Sequence, residues 1–563
     1  MKLVVALFFF QSSTALAFPG TVAKTRTSAF EKDVLKLQKE KEREARNAHN
    51  NDAFNALFVS VPERKTPFLM NHISKRPNDF PPGALLRLGP NGASIDDGFL
   101  DGDGLLHCII IPPDPDAPLT YSSTYIETVG RKLEEEKGTK FIGSLGAAPN
   151  GLPLLGSVIQ NMINFQIGTK DTCNTALAQS GGRLLSLMEQ TPPSEIEILK
   201  DGRIRTIASK TNLGGAIPVS DPVTGGEFSA HGRTCPKSGE RIHVSYGSSK
   251  KPYARVDIFD KGWKLKQTIP VNDLSAPVMI HDCAITENYT LVLDFPLTVR
   301  PLRMLQNKFP VEYEPTNGAR IGLVPRNKDS HQEVKWFDCK PGVILHTANA
   351  YETDDDKVIL HALRSEPSGE ASYITSYTTS FLYEWILDLK SGNVISEKCL
   401  NPGELVEFPI IDERCATSKV KECYAVGVQS IGGPLRLYKT PGEGILIDRI
   451  VKFALTDDTH EGVQRGDVLG RFKLPPGFYG VTEPTIVPKM GNENECYVVV
   501  AGTQVPETEV PSDEDIANNN CLLSRIFVVD GENLDAGAVW EFDLPYHLPY
   551  GLHSGFLDWE HMK

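Results

Sequence analysis

Residues Val278–Leu297 read VMIHDCAITENYTLVLDFPL, and the reading of this stretch decides the fold. An apolar approach leads to His281. Asn288 marks a turn, and Tyr289-Thr290-Leu291-Val292-Leu293 alternates in the way that predicts a strand. His281 therefore sits near the mouth of a hairpin, beside a core strand. Alone, a histidine there is an ordinary structural residue. Its meaning depends on whether other histidines converge on it.

Outward from this stretch the same texture continues. Short β-rich runs are expected at 84–88, 108–111, 183–188, 196–198, 203–206, 241–246, 253–259, 320–324, 358–362, 372–376, 422–428, 435–439, 450–455, 495–501 and 522–529. Pro, Gly, Asn and Asp fill the gaps, and long helical patterns are scarce after residue 170. The class is all-β. A propeller of four-stranded blades builds so large a sheet protein without long exposed edges. The internal repeats are too weak to fix the number of blades. Residues 142–166 depart from this texture. From Leu154 the apolar positions Leu155, Val158, Ile159, Met162, Ile163 and Phe165 recur at helical spacing. They predict a short amphipathic helix that either packs as a lid or lies in a membrane surface without crossing it.

The chain has 563 residues, 40% of them hydrophobic, enough for a large core. Lys+Arg total 58 against Asp+Glu 72, a net charge of -14, which argues against a general nucleic-acid surface. Ten cysteines are scattered without a CxxC pair, so they read as reduced and mostly buried rather than as a zinc ribbon or disulfide framework. No phosphate-binding loop stands out. Asp101-Gly102-Asp103-Gly104 is a tight acidic turn that lacks the rest of a calcium loop, and His107 behind it reads as structural. The acidic run 507–520 reads as a solvated loop.

The first residues carry addresses rather than fold. Residues 1–17 read as a signal peptide: a basic start, an apolar run from Leu3 to Phe10, and small residues to Ala17. The run is too short for a membrane span. Phe18-Pro19-Gly20 and the basic, hydroxyl-rich residues to about 30 follow. Together they resemble the bipartite plastid leaders of diatoms and related algae, and secretion or an endomembrane compartment is the alternative. Residues 31–79 are expected to form a charged helical or flexible arm, with a single catalytic body over 80–563.

Three further histidines share the setting of His281. His231 follows Phe228-Ser229-Ala230, His346 follows Val343-Ile344-Leu345, and His553 follows Tyr550-Gly551-Leu552. They lie far too far apart for a local metal motif, but each fits the inner end of a different blade. Imidazole nitrogen suits Fe, Cu, Zn or Ni, and composition does not choose between them. Four neutral imidazoles leave open positions on a six-coordinate ion, which suits dioxygen binding better than a closed zinc site does.

The set resembles the carotenoid cleavage oxygenase family, which includes the retinal pigment isomerohydrolases. The resemblance is carried by Arg87-Leu88-Gly89-Pro90-Asn91, the turn Asp101–His107, His281-Asp282-Cys283-Ala284-Ile285-Thr286-Glu287-Asn288-Tyr289, His346-Thr347-Ala348-Asn349-Ala350-Tyr351-Glu352 and Pro549-Tyr550-Gly551-Leu552-His553. It runs from about residue 81 to the end. It implies a seven-bladed β-propeller with an apolar helical cap over about 142–172. It implies Fe(2+) held by His231, His281, His346 and His553, with Glu189, Glu407 and Glu483 accepting distal ring N–H groups. It implies cleavage of a carotenoid or apocarotenoid double bond with O2. It also implies possible peripheral contact with a plastid membrane through the segment around 142–166. An isomerohydrolase, a stilbene-type cleavage oxygenase and a non-catalytic lipid- or partner-binding propeller are the alternatives. Two local departures are Gly98-Phe99-Leu100, where the family commonly has aromatics, and Gly232-Arg233-Thr234-Cys235, where it often has Pro-Lys.

Overall fold

The computed structural model describes residues 56–563 apart from 71, 93–98, 142–150, 166–167, 190, 212, 216, 218–227, 327–332, 366–379, 432–443, 460, 493 and 506–521. The leader, the charged segment to residue 50, the expected strands at 372–376 and 435–439, and the acidic run 507–520 lie outside the described residues.

The strands form successive antiparallel units in chain order. The first is Ala176–Ser180, Arg183–Leu187, Ser194–Ile198 and Ile204–Ala208. The second is Gly232–Thr234, Arg241–Tyr246, Ala254–Phe259 and Leu265–Val271. The third is Ala284–Ile285, Tyr289–Asp294, Ala319–Pro325 and Lys335–Cys339, with the separate ribbon Leu297–Val299 and Val311–Tyr313 inserted. The fourth is Thr347–Thr353, Lys357–Arg364, Phe381–Asp388 and Asn393–Cys399. Two more runs, Val406–Ile410 to Val468–Lys473 and Thr485–Pro488 to Ala538–Leu544, are joined through Phe478–Gly480 into one nine-stranded sheet. In the last, Arg64–Met70, Leu119–Tyr125, Asp103–Ile111 and Gly83–Asn91 are completed by the C-terminal strand Ser554–Asp558. Gly83–Arg87 pairs with Ser554–Asp558, so the two ends of the body share one ladder.

Burial explains which strands were legible. Gly83–Asn91, Asp103–Ile111 and Arg241–Tyr246 are buried along their whole length; the first two carry apolar runs, and the third alternates polar and apolar residues. Leu265–Val271 and Asn393–Cys399 alternate between half-buried and exposed, and their many polar residues hide them. Within the expected arm, Arg64–Met70 is an edge strand on Leu119–Tyr125, and Leu57 and Phe58 are buried, Phe58 stacking on Tyr550 at 4.9 Å.

The apolar helix is Leu152–Phe165. It buries Leu154, Ser157, Asn161 and Phe165 and leaves Leu152, Ile159 and Ile163 exposed. Another helix, Val129–Lys137, had no apolar periodicity to betray it. It is held by its ends: Thr128 Oγ1 accepts the Arg131 N–H, Asp171 accepts the N–H groups of Val129 and Gly130, and Gly138 closes it in the left-handed region. Asp103 of the acidic turn is paired with Lys170 at 2.7 Å and Arg131 at 3.4 Å, so its carboxylate is spent on protein cations. No helix among the described residues is long and apolar enough to cross a membrane.

Candidate metal centre

The four histidines stand at equivalent places. His231 immediately precedes Gly232–Thr234, and His346 precedes Thr347–Thr353. His553 precedes Ser554–Asp558, and His281 leads into Ala284–Ile285. Each of these is an end strand of its sheet. The four rings therefore come from corresponding ends of separate units, and they meet. Ring centroids lie 4.2 Å apart for His231 and His281, 4.7 Å for His231 and His553, 5.1 Å for His281 and His346, 5.3 Å for His231 and His346, and 5.4 Å for His346 and His553.

The glutamates fix the far side of the rings. His346 Nδ1 is 2.7 Å from Glu407 Oε2, and His553 Nδ1 is 2.9 Å from Glu483 Oε2. Glu189 serves two rings: its Oε1 lies 3.3 Å from Nδ1 of both His231 and His281. The angle is right for a hydrogen bond with His231 and too bent for one with His281. The acceptors are themselves held. Tyr246 Oη donates to Glu189 Oε2 at 3.0 Å, the Phe408 N–H to Glu407 Oε2 at 2.6 Å, and the Ser554 N–H to Glu483 Oε1 at 2.8 Å. This sharing answers how three glutamates serve four histidines, a pairing that sequence alone left open.

The donor set carries a test for a metal. A ring whose Nδ1–H is given to a carboxylate turns a bare lone pair outward at Nε2. His231 Nε2 and His553 Nε2 face each other at 2.9 Å, and two lone pairs at that distance repel unless a cation lies between the donors. His346 Nε2 is buried with no hydrogen-bond partner. One ring nitrogen from each of His231, His346 and His553 falls within 4.8 Å of the others, and Glu189, His231 and His281 form a second such group. Among the described residues these are the groups that could hold a metal, and a divalent cation fits them.

Burial and mutual proximity set the protonation states. His231 is held far below its usual range, first by burial and then by its His281, His553 and His346 neighbours, so it is a neutral donor. For His281 burial pulls downward, but Glu189, Asp282 and Glu407 outweigh it and the net shift is upward. Asp282 ends at about 2: burial opposes ionisation, and Arg233 with the nearby imidazoles overrides it. Phe408 closes one flank, its ring 5.2 Å from His346 and 5.4 Å from His553, on a backbone with φ of +49°. A bulky residue in that region is strained, and here the strain turns the Phe408 N–H onto Glu407 and the ring onto the histidines.

Sequence reading missed Phe408, Tyr246, Arg233 and Thr347. Arg233 and Thr347 stood beside the quoted histidines, and adjacency was their only signal. Phe408 likewise stood beside Glu407, and Tyr246 carried no signal.

The fold, the converging histidines and the supporting carboxylates define a protein of the non-haem metal oxygenase kind, and residues 64–558 match the family described as RPE65, retinal pigment epithelial membrane protein. The chain belongs to that family. It is 30% identical over 497 residues to carotenoid 9,10(9',10')-cleavage dioxygenase 1 of Pisum sativum, covering 84% of each chain. It is 29% identical over 504 residues to the protein of the same name from Phaseolus vulgaris, covering 85% of each. The solved structure of cobalt-substituted Synechocystis ACO superposes with a TM-score of 0.68 at 22% identity, over 90% of this chain and 99% of that one.

Proposed function

We propose that this chain is a non-haem iron(II) dioxygenase that cleaves a conjugated double bond of a carotenoid or apocarotenoid with O2, giving two carbonyl products. The observation that carries the reading is the convergence of four imidazole rings, three of which, His231, His346 and His553, bring a ring nitrogen within 4.8 Å of one another. His231, His281, His346 and His553 are the ligands, and Glu189, Glu407 and Glu483 hold the rings and raise their basicity. Bound ferrous iron supplies the one-electron chemistry that lets O2 react with a polyene. The residues do the rest. The glutamates keep the His231, His346 and His553 rings from turning away, Tyr246 keeps Glu189 in place, and Phe408 excludes water from the flank it covers. No side chain has to take or give a proton in splitting C=C with O2 into two C=O groups, so the site needs no general base.

The architecture we infer is a closed seven-bladed propeller. In its support, the successive four-stranded units follow chain order, and Ser554–Asp558 completes the sheet begun by Gly83–Asn91. The apolar elements give a water-insoluble substrate its approach. Helix Leu152–Phe165 packs against the short helix Pro301–Gln306, and Leu152, Ile163, Leu302 and Leu305 are all exposed there. The neighbouring ribbon packs Leu297 and Tyr313 against Leu345, the residue before His346. This is the cap, and we assign it peripheral contact with a plastid membrane. The leader reading and the plant relatives support the plastid.

The deciding experiment incubates iron-loaded protein with a panel of carotenoids under 18O2 and weighs the products. Two shorter carbonyl compounds carrying label support the reading. An isomerised product of unchanged carbon number points to the isomerohydrolase, cleavage of stilbenes alone to the stilbene-type enzyme, and absence of both iron and product to a non-catalytic propeller.

A further inference from the structure

Three residues without a role in the metal site stand directly beyond three of the histidines. Arg233 comes two positions after His231, Asp282 one after His281, and Thr347 one after His346. They belong to the strand Gly232–Thr234, the approach to Ala284–Ile285 and the strand Thr347–Thr353, which lie in three different sheets. Among the described residues no ladder joins those sheets, so a side-chain tie across them would help the three histidines keep one mutual geometry.

The tie is present. The Asp282 carboxylate is 0% exposed. Its Oδ2 accepts from Arg233 Nη2, from the Thr347 N–H at 2.8 Å and from Thr347 Oγ1 at 3.0 Å, and its Oδ1 accepts from the Cys283 N–H at 2.7 Å. Arg233 Nη2 also reaches the Thr347 carbonyl at 2.8 Å and Oγ1 at 2.9 Å, while its Nε donates to the Cys283 carbonyl at 3.1 Å. One guanidinium fork thus spans the backbone of two other sheets, which an ammonium cannot do. Burying a carboxylate is unfavourable, and apolar side chains of the same volume would pack as well or better. What a fully bonded ion pair supplies instead is one fixed arrangement.

We propose that Arg233, Asp282 and Thr347 act as a positioning clamp, setting the angles between the strands that carry His231, His281 and His346 and so holding the four imidazoles splayed, with coordination positions left open. The inference rests on the four-histidine site proposed above. When the clamp is loosened, four nitrogen donors are free to relax toward the tetrahedron that zinc prefers. The clamp therefore also discriminates between metals.

Cobalt(II) reads this geometry, because its visible absorption is far more intense in a tetrahedral site than in a five- or six-coordinate one. The full chain is stripped of metal, loaded with cobalt chloride alone, and then titrated with zinc. Wild type is expected to take up cobalt with the weak spectrum of an open site. Thr347→Val keeps the shape and the backbone N–H but removes the hydroxyl. Arg233→Lys keeps the charge but removes the fork. Both are expected to show the intense band and to shift the zinc-to-cobalt preference by about tenfold toward zinc. Asp282→Asn strands the Arg233 cation and is expected to shift it further; if it does not fold, the other two variants decide. Glu384→Gln disrupts a buried ion pair elsewhere and is expected to lower the melting temperature without moving the spectrum. Wild-type spectra and unchanged metal preference in both Thr347→Val and Arg233→Lys would overturn the clamp alone. Failure of wild type to take up cobalt would overturn the metal site, and the clamp with it.

Discussion

His346–Glu407 and His361–Glu384 are the same pair by local measures. Each is a buried imidazole nitrogen on a buried glutamate, His346 Nδ1 at 2.7 Å and His361 Nε2 at 3.2 Å, with His346 just before Thr347–Thr353 and His361 within the next strand, Lys357–Arg364, of the same sheet. Their surroundings differ. Glu407 Oε2 takes the Phe408 N–H at 2.6 Å beside the His346 ring, and His346 groups with His231 and His553 as a set that could hold a metal. Glu384 receives Arg465 Nη1 at 3.0 and 3.1 Å on its two oxygens, and no second imidazole converges on His361 within the groups that could hold a metal. His107 and His243 are structural in the same way: His107 Nδ1 meets Tyr121 Oη at 2.8 Å, and His243 Nδ1 meets the Ser229 carbonyl at 3.2 Å. Neither burial nor a carboxylate makes a metal ligand. Convergence of outward lone pairs does.

The sharpest way to break this comparison is to remove one ring from each pair. His346→Ala is expected to lower iron content to background and abolish cleavage, whereas His361→Gln should keep full iron content and lose on the order of 1–3 kcal/mol of stability. Metal analysis and denaturant titration of both variants check it, and iron loss in His361→Gln would erase the distinction. Next come the carboxylates. Glu407→Gln is expected to weaken iron binding by about 10- to 100-fold. Glu384→Gln should leave iron binding unchanged and cost about 1–2 kcal/mol, reduced from the fully buried case because Arg465 is 36% exposed.

Acid tests one histidine outside the proposed metal set. His547 is enclosed and its pKa falls to about 3, through burial first and the Arg87 charge second. Folding therefore prefers the neutral ring. That contribution is complete above the unfolded value of about 6.5 and is lost as pH falls from there toward 3. Between pH 7 and 5 the loss is on the order of 2 kcal/mol, and His547→Gln should flatten it in metal-loaded protein as well, measured by denaturant midpoints at the two pH values. An unchanged pH slope would show that another group carries the acid sensitivity. The smallest effect is expected at the apolar surface. Ile163→Ser combined with Leu305→Ser should leave iron content intact and alter stability by under about 0.5 kcal/mol at each site. Co-sedimentation with vesicles of plastid-type lipid should fall, and full retention would place membrane contact elsewhere.

The legibility of the sequence followed local pattern. Arg241–Tyr246 was read to the residue because Ile242, Val244 and Tyr246 alternate with polar residues at strand period, although the strand is buried along its whole length. Leu265–Val271 and Ala538–Leu544 escaped because outer strands bury one face only and their charged residues look like loop. Helix Val129–Lys137 escaped because its stability comes from its caps and from Asp171, not from an apolar stripe. At the site, the seven residues singled out were legible through their flanking segments, whereas Tyr246 and Phe408 act through contacts that no spacing announces.

The sequence by itself determined the predominantly β class and the position of one apolar helix, because strand and helix periodicity are local properties of a chain, and it singled out the four histidines and three glutamates as a candidate set only through segments that resemble a known family. Only the tertiary structure decided which glutamate holds which ring, that Glu189 is shared, that His361 with its own glutamate stands apart, and that Arg233, Asp282 and Thr347 lock three sheets together. These are distances between residues far apart in the chain, fixed by how the units pack. A histidine becomes a metal donor when its neighbours across that packing leave its lone pair nowhere else to point.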